Sequence, residues 1–250
     1  MSTMTDQNTS MQTPVELNPA LDRAALRARF DATGRAHIRD VLSEASAQRF
    51  LACLSRELPW RLAYNDDAQV LEKTLEELSQ MQPQQRQELE MGVLERAKTQ
   101  FQYAYFNYPA ASTLNDPSET KYYVHDVLRF INSEPFLGFL RDITGLEGRL
   151  YADGHATCFQ TGHFLTIHND SDTADRRAIA YVFNMTAFWR PDWGGALEFF
   201  DDEYNIVESF APRFNALNIF RVPQAHAVSF VAPYATGQRF GMTGWFHRAD

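Results

Sequence analysis

Beyond Gly148 the chain becomes a succession of short strand-like runs, and no other feature of the sequence limits the fold so tightly. The runs are "RLYADGHATCFQ", "HFLTIHN", "AIAYVFNMT", "ALEFFD", "NIVESF", "NALNIFRV", "AVSFVAP" and "RFGMTGWFHR". They are rich in β-branched and aromatic residues, which suit a pleated, half-buried surface. Turn sequences lie between them: "DWGG", "DDEYN", "APRF" and "YATGQ". Eight such runs in about a hundred residues predict a sandwich, a barrel or a double-sheet jelly roll.

Residues from about 20 to 145 have a different, mostly helical pattern. In "SEASAQRFLACLSREL" the apolar positions Ala47, Phe50, Leu51 and Leu54 share one helical face, and Ser43 is placed to cap it. "GRAHIRDVL" before it has the look of a short strand. "DAQVLEKTLEELSQMQ" puts Val70, Leu71, Leu75 and Leu78 on one side and predicts a helix. Pro83 then opens a second helix, expected to run through "PQQRQELEMGVLERAKTQFQYAYF" with a solvated charged face. "SETKYYVHDVLRFINSEPFLGFLRDITG" predicts two more short helices, ending at Gly145. Helices gathered ahead of strands point to an α+β fold in which the helices cover one face of a sheet. The expected organisation is a flexible leader (1–20) and one domain (21–250), with helical support over 21–147 and a β core over 148–250. An apolar content of 44% is enough for a core of that size.

Charge and cysteine content narrow the function. A net charge of −9 argues against a broad nucleic-acid-binding surface. No long apolar run predicts a membrane span. The opening residues lack the charged start and apolar middle of a secretory signal, so a cytoplasmic location is expected, with Cys53 and Cys158 reduced.

The strand "HFLTIHND" carries His168 and Asp170 two places apart. In a strand, such residues project to the same side. An imidazole and a carboxylate from one short segment can thus converge on one point, with His226 as the third ligand from a distant segment. Two histidines and one carboxylate hold a divalent metal on one face and leave the opposite face open, as in non-haem Fe(II) oxygenases; zinc and manganese suit the same ligands. The structural alternative is a chance pairing of polar residues. Arg239 lies in the last apolar run and needs an anionic partner, either a carboxylate ligand or an Asp or Glu of the protein. Thr243 and Trp245 follow on the same predicted strand face. His37, His125, His155 and His247 are expected to be structural or surface residues, and His163 a spare polar group at a strand entrance.

Together, His168-x-Asp170, His226 and Arg239, set in "FQTGHFLTIHND", "RRAIAYVFNMTAFWRPDWGGALEFFD" and "RFGMTGWF", resemble the 2-oxoglutarate- and Fe(II)-dependent dioxygenases. The closer resemblance is to their prolyl 4-hydroxylase-like branch, strong over about 150–247 and loose before it. It implies a double-stranded β-helix, a form of jelly roll, buttressed by N-terminal helices. It implies Fe(II) on His168, Asp170 and His226, and 2-oxoglutarate held by Arg239 with help from Thr243. Dioxygen is the second co-substrate, and ascorbate is a compatible accessory. Relatives often have tyrosines where this chain has Phe159 and Asn184, so Asn184 is expected to contact 2-oxoglutarate through its amide in place of one of them.

The activity implied is hydroxylation, coupled to conversion of 2-oxoglutarate to succinate and CO2. The implied target is a prolyl residue of a protein or peptide; a free amino acid or other small metabolite is the alternative, and a non-enzymatic metal- and dicarboxylate-binding sensor a third reading. Phe159, Phe164, Phe183, Trp189 and Trp245 are expected either to keep the site dry or to serve as ordinary core. The loop "NDSDTADRR" could fold over a substrate or be a plain connection.

Overall fold

A computed structural model of the chain describes residues 13–66, 69–171 and 176–249. The described elements run in the order α1 (Arg23–Thr33), β1 (Arg35–Arg39), α2 (Glu44–Arg56), β2 (Arg61–Asp66), β3 (Gln69–Thr74), α3 (Leu75–Gln80), α4 (Pro83–Arg96), β4 (Tyr103–Tyr108), α5 (Ala110–Thr113), α6 (Tyr123–Ile131) and α7 (Glu134–Thr144). The second half contributes β5 (Leu150–Ala152), β6 (His155–Phe159), β7 (Phe164–His168), β8 (Arg177–Asn184), β9 (Leu197–Phe200), β10 (Ile206–Phe210), β11 (Ala216–Arg221), β12 (His226–Val228) and β13 (Arg239–Arg248).

The strands form one antiparallel sheet in the order β1-β11-β8-β13-β6-β4-β7-β12-β9-β10, with β2 on β4, β3 on β2 and β5 on β13. This sheet rolls over on itself. Leu197 and Phe199 of β9 share a buried cluster with Ala180 of β8 and Phe220 of β11, although β9 lies far from those strands in the pairing order. The result is the expected jelly roll, its inner face left for a site and its outer face closed by helices. Phe50 of α2, Val127 of α6 and Phe136 and Phe139 of α7 are fully buried in the main cluster with Tyr181, Phe183 and Phe246 of the sheet. The helix ends follow the sequence. Ser43 accepts a hydrogen bond from the Ser46 N–H at the start of α2, and Gly145 closes α7 with φ 68.

Two segments of the N-terminal half depart from expectation. Residues 69–74 are the strand β3, paired with β2 from Arg61↔Thr74 to Asp66↔Gln69, so only Leu75–Gln80 of the expected helix is helical. A boundary signal lay in the sequence: Thr74 and Glu77 exchange the reciprocal hydrogen bonds of a capping box, which starts a helix at Leu75. Likewise α4 stops at Arg96, and "YAYFNY" becomes β4, alternating half-buried and buried residues. The supporting half is therefore not only helical. It supplies β1 to the sheet edge and β4 to its middle, between β6 and β7.

Candidate metal centre

Strands β7 and β12 pair with His168 directly opposite His226. Their ring centroids are 4.1 Å apart. Strand alternation does not bring Asp170 to them, contrary to expectation. β7 ends at His168, and Asp170 turns back through φ 60, a left-handed conformation that Asp tolerates better than most residues. The turn brings Asp170 Oδ1 to 3.3 Å from His168 Nε2 and Oδ2 to 3.4 Å from His226 Nε2. One ligand atom from each residue lies within 4.8 Å of the other two.

The backbone orients both rings. His168 Nδ1 lies 3.0 Å from the Thr166 carbonyl and His226 Nδ1 2.8 Å from the Gln224 carbonyl. Each Nδ1–H donates to its carbonyl, which leaves the Nε2 lone pair facing the carboxylate. Thr166 is itself fixed: its N–H donates to the Gln102 carbonyl and its hydroxyl accepts from the Gln102 N–H, both at 2.9 Å. Burial and the neighbouring His168 push His226 down to about 4, so its imidazole is neutral at physiological pH. Burial works to raise Asp170, but its closeness to the two imidazoles outweighs that and leaves the carboxyl below its ordinary value. Three acceptors thus share one point with no donor between them. That donor set fits a divalent cation.

The centre opens into a cavity of about 750 Å³, lined among others by Tyr105, His155, Thr157, Phe159, Arg177, Arg239, Thr243 and Trp245. Arg239 is 4% exposed, and its Nε has no partner among the described residues. No carboxylate of the described residues forms an ion pair with it, and its guanidinium lies 4.8 Å from the centre of the Phe159 ring. Burial lowers it to about 10, still cationic at neutral pH. Thr243 shares the cavity, with its hydroxyl donating to the Tyr181 carbonyl at 2.9 Å. Asn184 departs from its expected role. It pairs with Gly241 of β13 and is 1% exposed; its Oδ1 has no partner among the described residues, and the residue does not line the cavity.

Sequence reasoning missed several lining residues. Arg177 stacks on Trp245 with its guanidinium carbon 3.9 Å from the ring centre, and donates to the Asp170 carbonyl at 3.4 Å. The buried nitrogens Arg177 Nε and Trp245 Nε1 are, like Arg239 Nε, without partners among the described residues. Three unmet donors around a cavity with a cation-binding corner suit an anionic ligand that also reaches the metal. Tyr105 sits in "YAYFNY", whose sequence reads as the end of a helix. His155, expected to be structural, lines the cavity 3.5 Å from the Tyr105 hydroxyl. The other expected structural histidines do have local partners: His37 with Asn218, His125 with Thr113, His247 with Asp153. Of the expected shielding aromatics, Phe159 and Trp245 line the cavity, whereas Phe183 is helix-facing core and Phe164 and Trp189 lie outside it. Both cysteines are free and buried. Residues 172–175 of the expected covering loop lie outside the described residues, as does most of the leader. No described helix is long and apolar enough to cross a membrane.

Residues 154–247 match the model of the 2OG-Fe(II) oxygenase superfamily. Over 127 residues the chain is 30% identical to mouse prolyl 3-hydroxylase OGFOD1, a match covering 48% of this chain but only 23% of that protein. Among solved structures, a Pseudomonas putida prolyl-4-hydroxylase superposes with a TM-score of 0.56 at 19% identity, covering 91% of this chain and 100% of that one. A Trichoplax adhaerens prolyl hydroxylase, solved with a hypoxia inducible factor peptide fragment, gives 0.56 at 13% identity over 90% and 88% of the two chains. The match over residues 154–247 agrees with the expected resemblance to 2OG-Fe(II) oxygenases, and the solved structures bear out the expected double-stranded β-helix fold.

Proposed function

We propose that this chain, an oxygenase of the 2OG-Fe(II) superfamily over residues 154–247, is a hydroxylase dependent on Fe(II), 2-oxoglutarate and dioxygen, acting on a prolyl residue of a protein or peptide. The observation that carries the proposal is the pairing, in one cavity, of three convergent acceptors with a buried arginine that lacks a carboxylate partner among the described residues. In this reading His168, Asp170 and His226 hold the metal, and Arg239 pairs with the distal carboxylate of 2-oxoglutarate, as an arginine fork pairs with any carboxylate. Thr243 presents its hydroxyl oxygen on the same wall.

With Fe(II), 2-oxoglutarate and dioxygen bound, the centre supplies decarboxylation of the keto acid to succinate and CO2, coupled to insertion of one oxygen atom into a substrate C–H bond. The protein's share is geometry and dryness. The Thr166 and Gln224 carbonyls keep both Nε2 lone pairs pointed at the metal position. Phe159, Leu165, Val228 and Phe220 keep water from the inner walls. The rim is wide and apolar, with Phe101 47% and Tyr204 73% exposed, which supports a polypeptide over a free amino acid. The OGFOD1 and prolyl-4-hydroxylase likenesses support proline as the target residue.

The test is to incubate the purified protein with Fe(II), 2-oxoglutarate and a library of proline-containing peptides. The expected result is succinate in step with a gain of one oxygen on a proline, and neither with Asp170→Ala. Oxygen gained only by free metabolites would replace the polypeptide reading; no succinate with any substrate would favour a sensor.

A further inference from the structure

A second cavity, of about 540 Å³, lies on the other side of the sheet from the metal and shares no lining residue with the metal cavity. Its floor is Leu62 of β2, Ala104 and Phe106 of β4 and Phe164 of β7. Its roof is the pair α3 and α4, through Leu75, Leu78, Leu89 and Val93.

The roof is loosely seated. α3 has no buried residue and α4 has one, Val93, while Leu75 stays 50% exposed. By contrast, α6 and α7 each bury six residues. Val93 joins the main core beside Leu62, Ala104 and Phe106, and Leu78 and Leu89 pack against that core while staying only partly buried. Walls made mainly of leucine and phenylalanine offer an apolar body close dispersion contacts. Apolar voids of about 150 Å³ take up benzene, and small-molecule sites span roughly 300–1,000 Å³. This one is the size of a site, not of a packing defect.

One polar group at the cavity wall gives it direction. His163 is only 8% exposed, and its ring packs edge-on against Phe106 at 5.2 Å. No side chain of the described residues hydrogen-bonds its imidazole; its partners are backbone groups alone, the Gln160 N–H on Nδ1 at 3.4 Å and the backbone of Cys158. Burial pushes the ring down to about 4, so it is neutral and offers a hydrogen bond rather than a charge.

We propose that this cavity is a binding site for a small uncharged molecule with an apolar body the size of two fused rings and one hydroxyl-type group, which hydrogen-bonds His163. An ionised head group is disfavoured at that end. The one cation among the lining residues, Arg86, sits on the exposed roof and donates to the Leu78 carbonyl there. The site is independent of the metal chemistry and stands or falls without it. It is nevertheless joined to the metal centre by β7, which runs from Phe164 in this cavity to the ligand His168.

The test uses 2-naphthol and naphthalene as probes, with binding followed by fluorescence titration of the full chain. Wild type is expected to bind naphthol saturably, one to one, and about three- to tenfold more tightly than naphthalene, the difference made by one neutral hydrogen bond. His163→Leu should bring the two affinities together. Leu78→Trp, which fills the space from the roof, should abolish both while leaving the far-ultraviolet circular dichroism unchanged; Leu89→Trp serves if Leu78→Trp does not fold. Absence of saturable binding to wild type, equal binding by the filled variant, or a naphthol preference that survives His163→Leu would overturn the proposal.

Discussion

The chemistry of the centre begins with repulsion. Two imidazole lone pairs and a carboxylate face one another at 3.3 and 3.4 Å, and only a cation turns that arrangement into an attraction. Asp170→Ala removes the charged member, so Mn²⁺ affinity, read by electron paramagnetic resonance, should fall by more than about a hundredfold and turnover should vanish; unchanged affinity would remove Asp170 from the centre. Arg239→Ala should separate the two ligands. The 2-oxoglutarate dissociation constant should rise by about 2–4 kcal/mol, or roughly 30- to 1,000-fold, with Mn²⁺ affinity nearly unchanged in calorimetry. Equal losses of both would mean that the arginine only supports the fold. At this scale much was legible. His168, Asp170, His226 and Arg239 stand out because polar groups in apolar strands need partners. The turn that delivers Asp170 was not legible, since strand alternation gave the same pairing for a different reason. Arg177, Tyr105 and His155 were invisible because their relation to the metal arises only when β8, β4 and β6 are placed beside one another.

At the scale of elements, local signals worked where a cap or a breaker was present and failed where two periodicities competed. Ser43, Pro83 and Gly145 mark true helix boundaries. Val70 and Leu71 fit a helical stripe with Leu75 and Leu78, yet pairing along the whole of β2 outweighs that pattern. "YAYFNY" follows helix α4 without Gly or Pro, so nothing in the sequence ended the helix before it. The turn after Trp193 shows how narrowly one junction is built. Gly194 has φ 70, and a Cβ there would lie 2.1 Å from the Phe230 carbonyl oxygen. Gly194→Ala should therefore cost about 2 kcal/mol or more, from strain and displacement of the 230 segment. Thermal unfolding followed by circular dichroism would show a melting temperature lower by several degrees; an unchanged midpoint would contradict the close approach.

Over the whole molecule, buried neutral histidines tie stability to pH. Burial takes both His155 and His163 from 6.5 down to about 4. As pH falls the unfolded chain takes up these protons first. The stability they represent is complete above pH 6.5, erodes between 6.5 and 4, and changes no further below that. For His163 the loss is about 3 kcal/mol. Urea unfolding at about pH 7.5 and pH 4.5 should show it, and His163→Leu should shrink the difference by that amount; an equal drop in the variant would assign the effect elsewhere. The fold class was legible at this scale, since eight strand runs leave few architectures. The interleaving of the two halves was not, because β1 and β4 find their partners more than a hundred and about fifty residues away, respectively. That interleaving governs how the chain can be born. β1 waits for β11, and the flanks of β6 and β7 are closed only by β4, so a ribosome must release nearly the entire polypeptide before the barrel can shut. A truncated polypeptide starting at Gly148 would keep every metal ligand yet leave three strand edges open, and it should precipitate on expression, whereas co-expressed residues 13–147 should rescue it by strand donation.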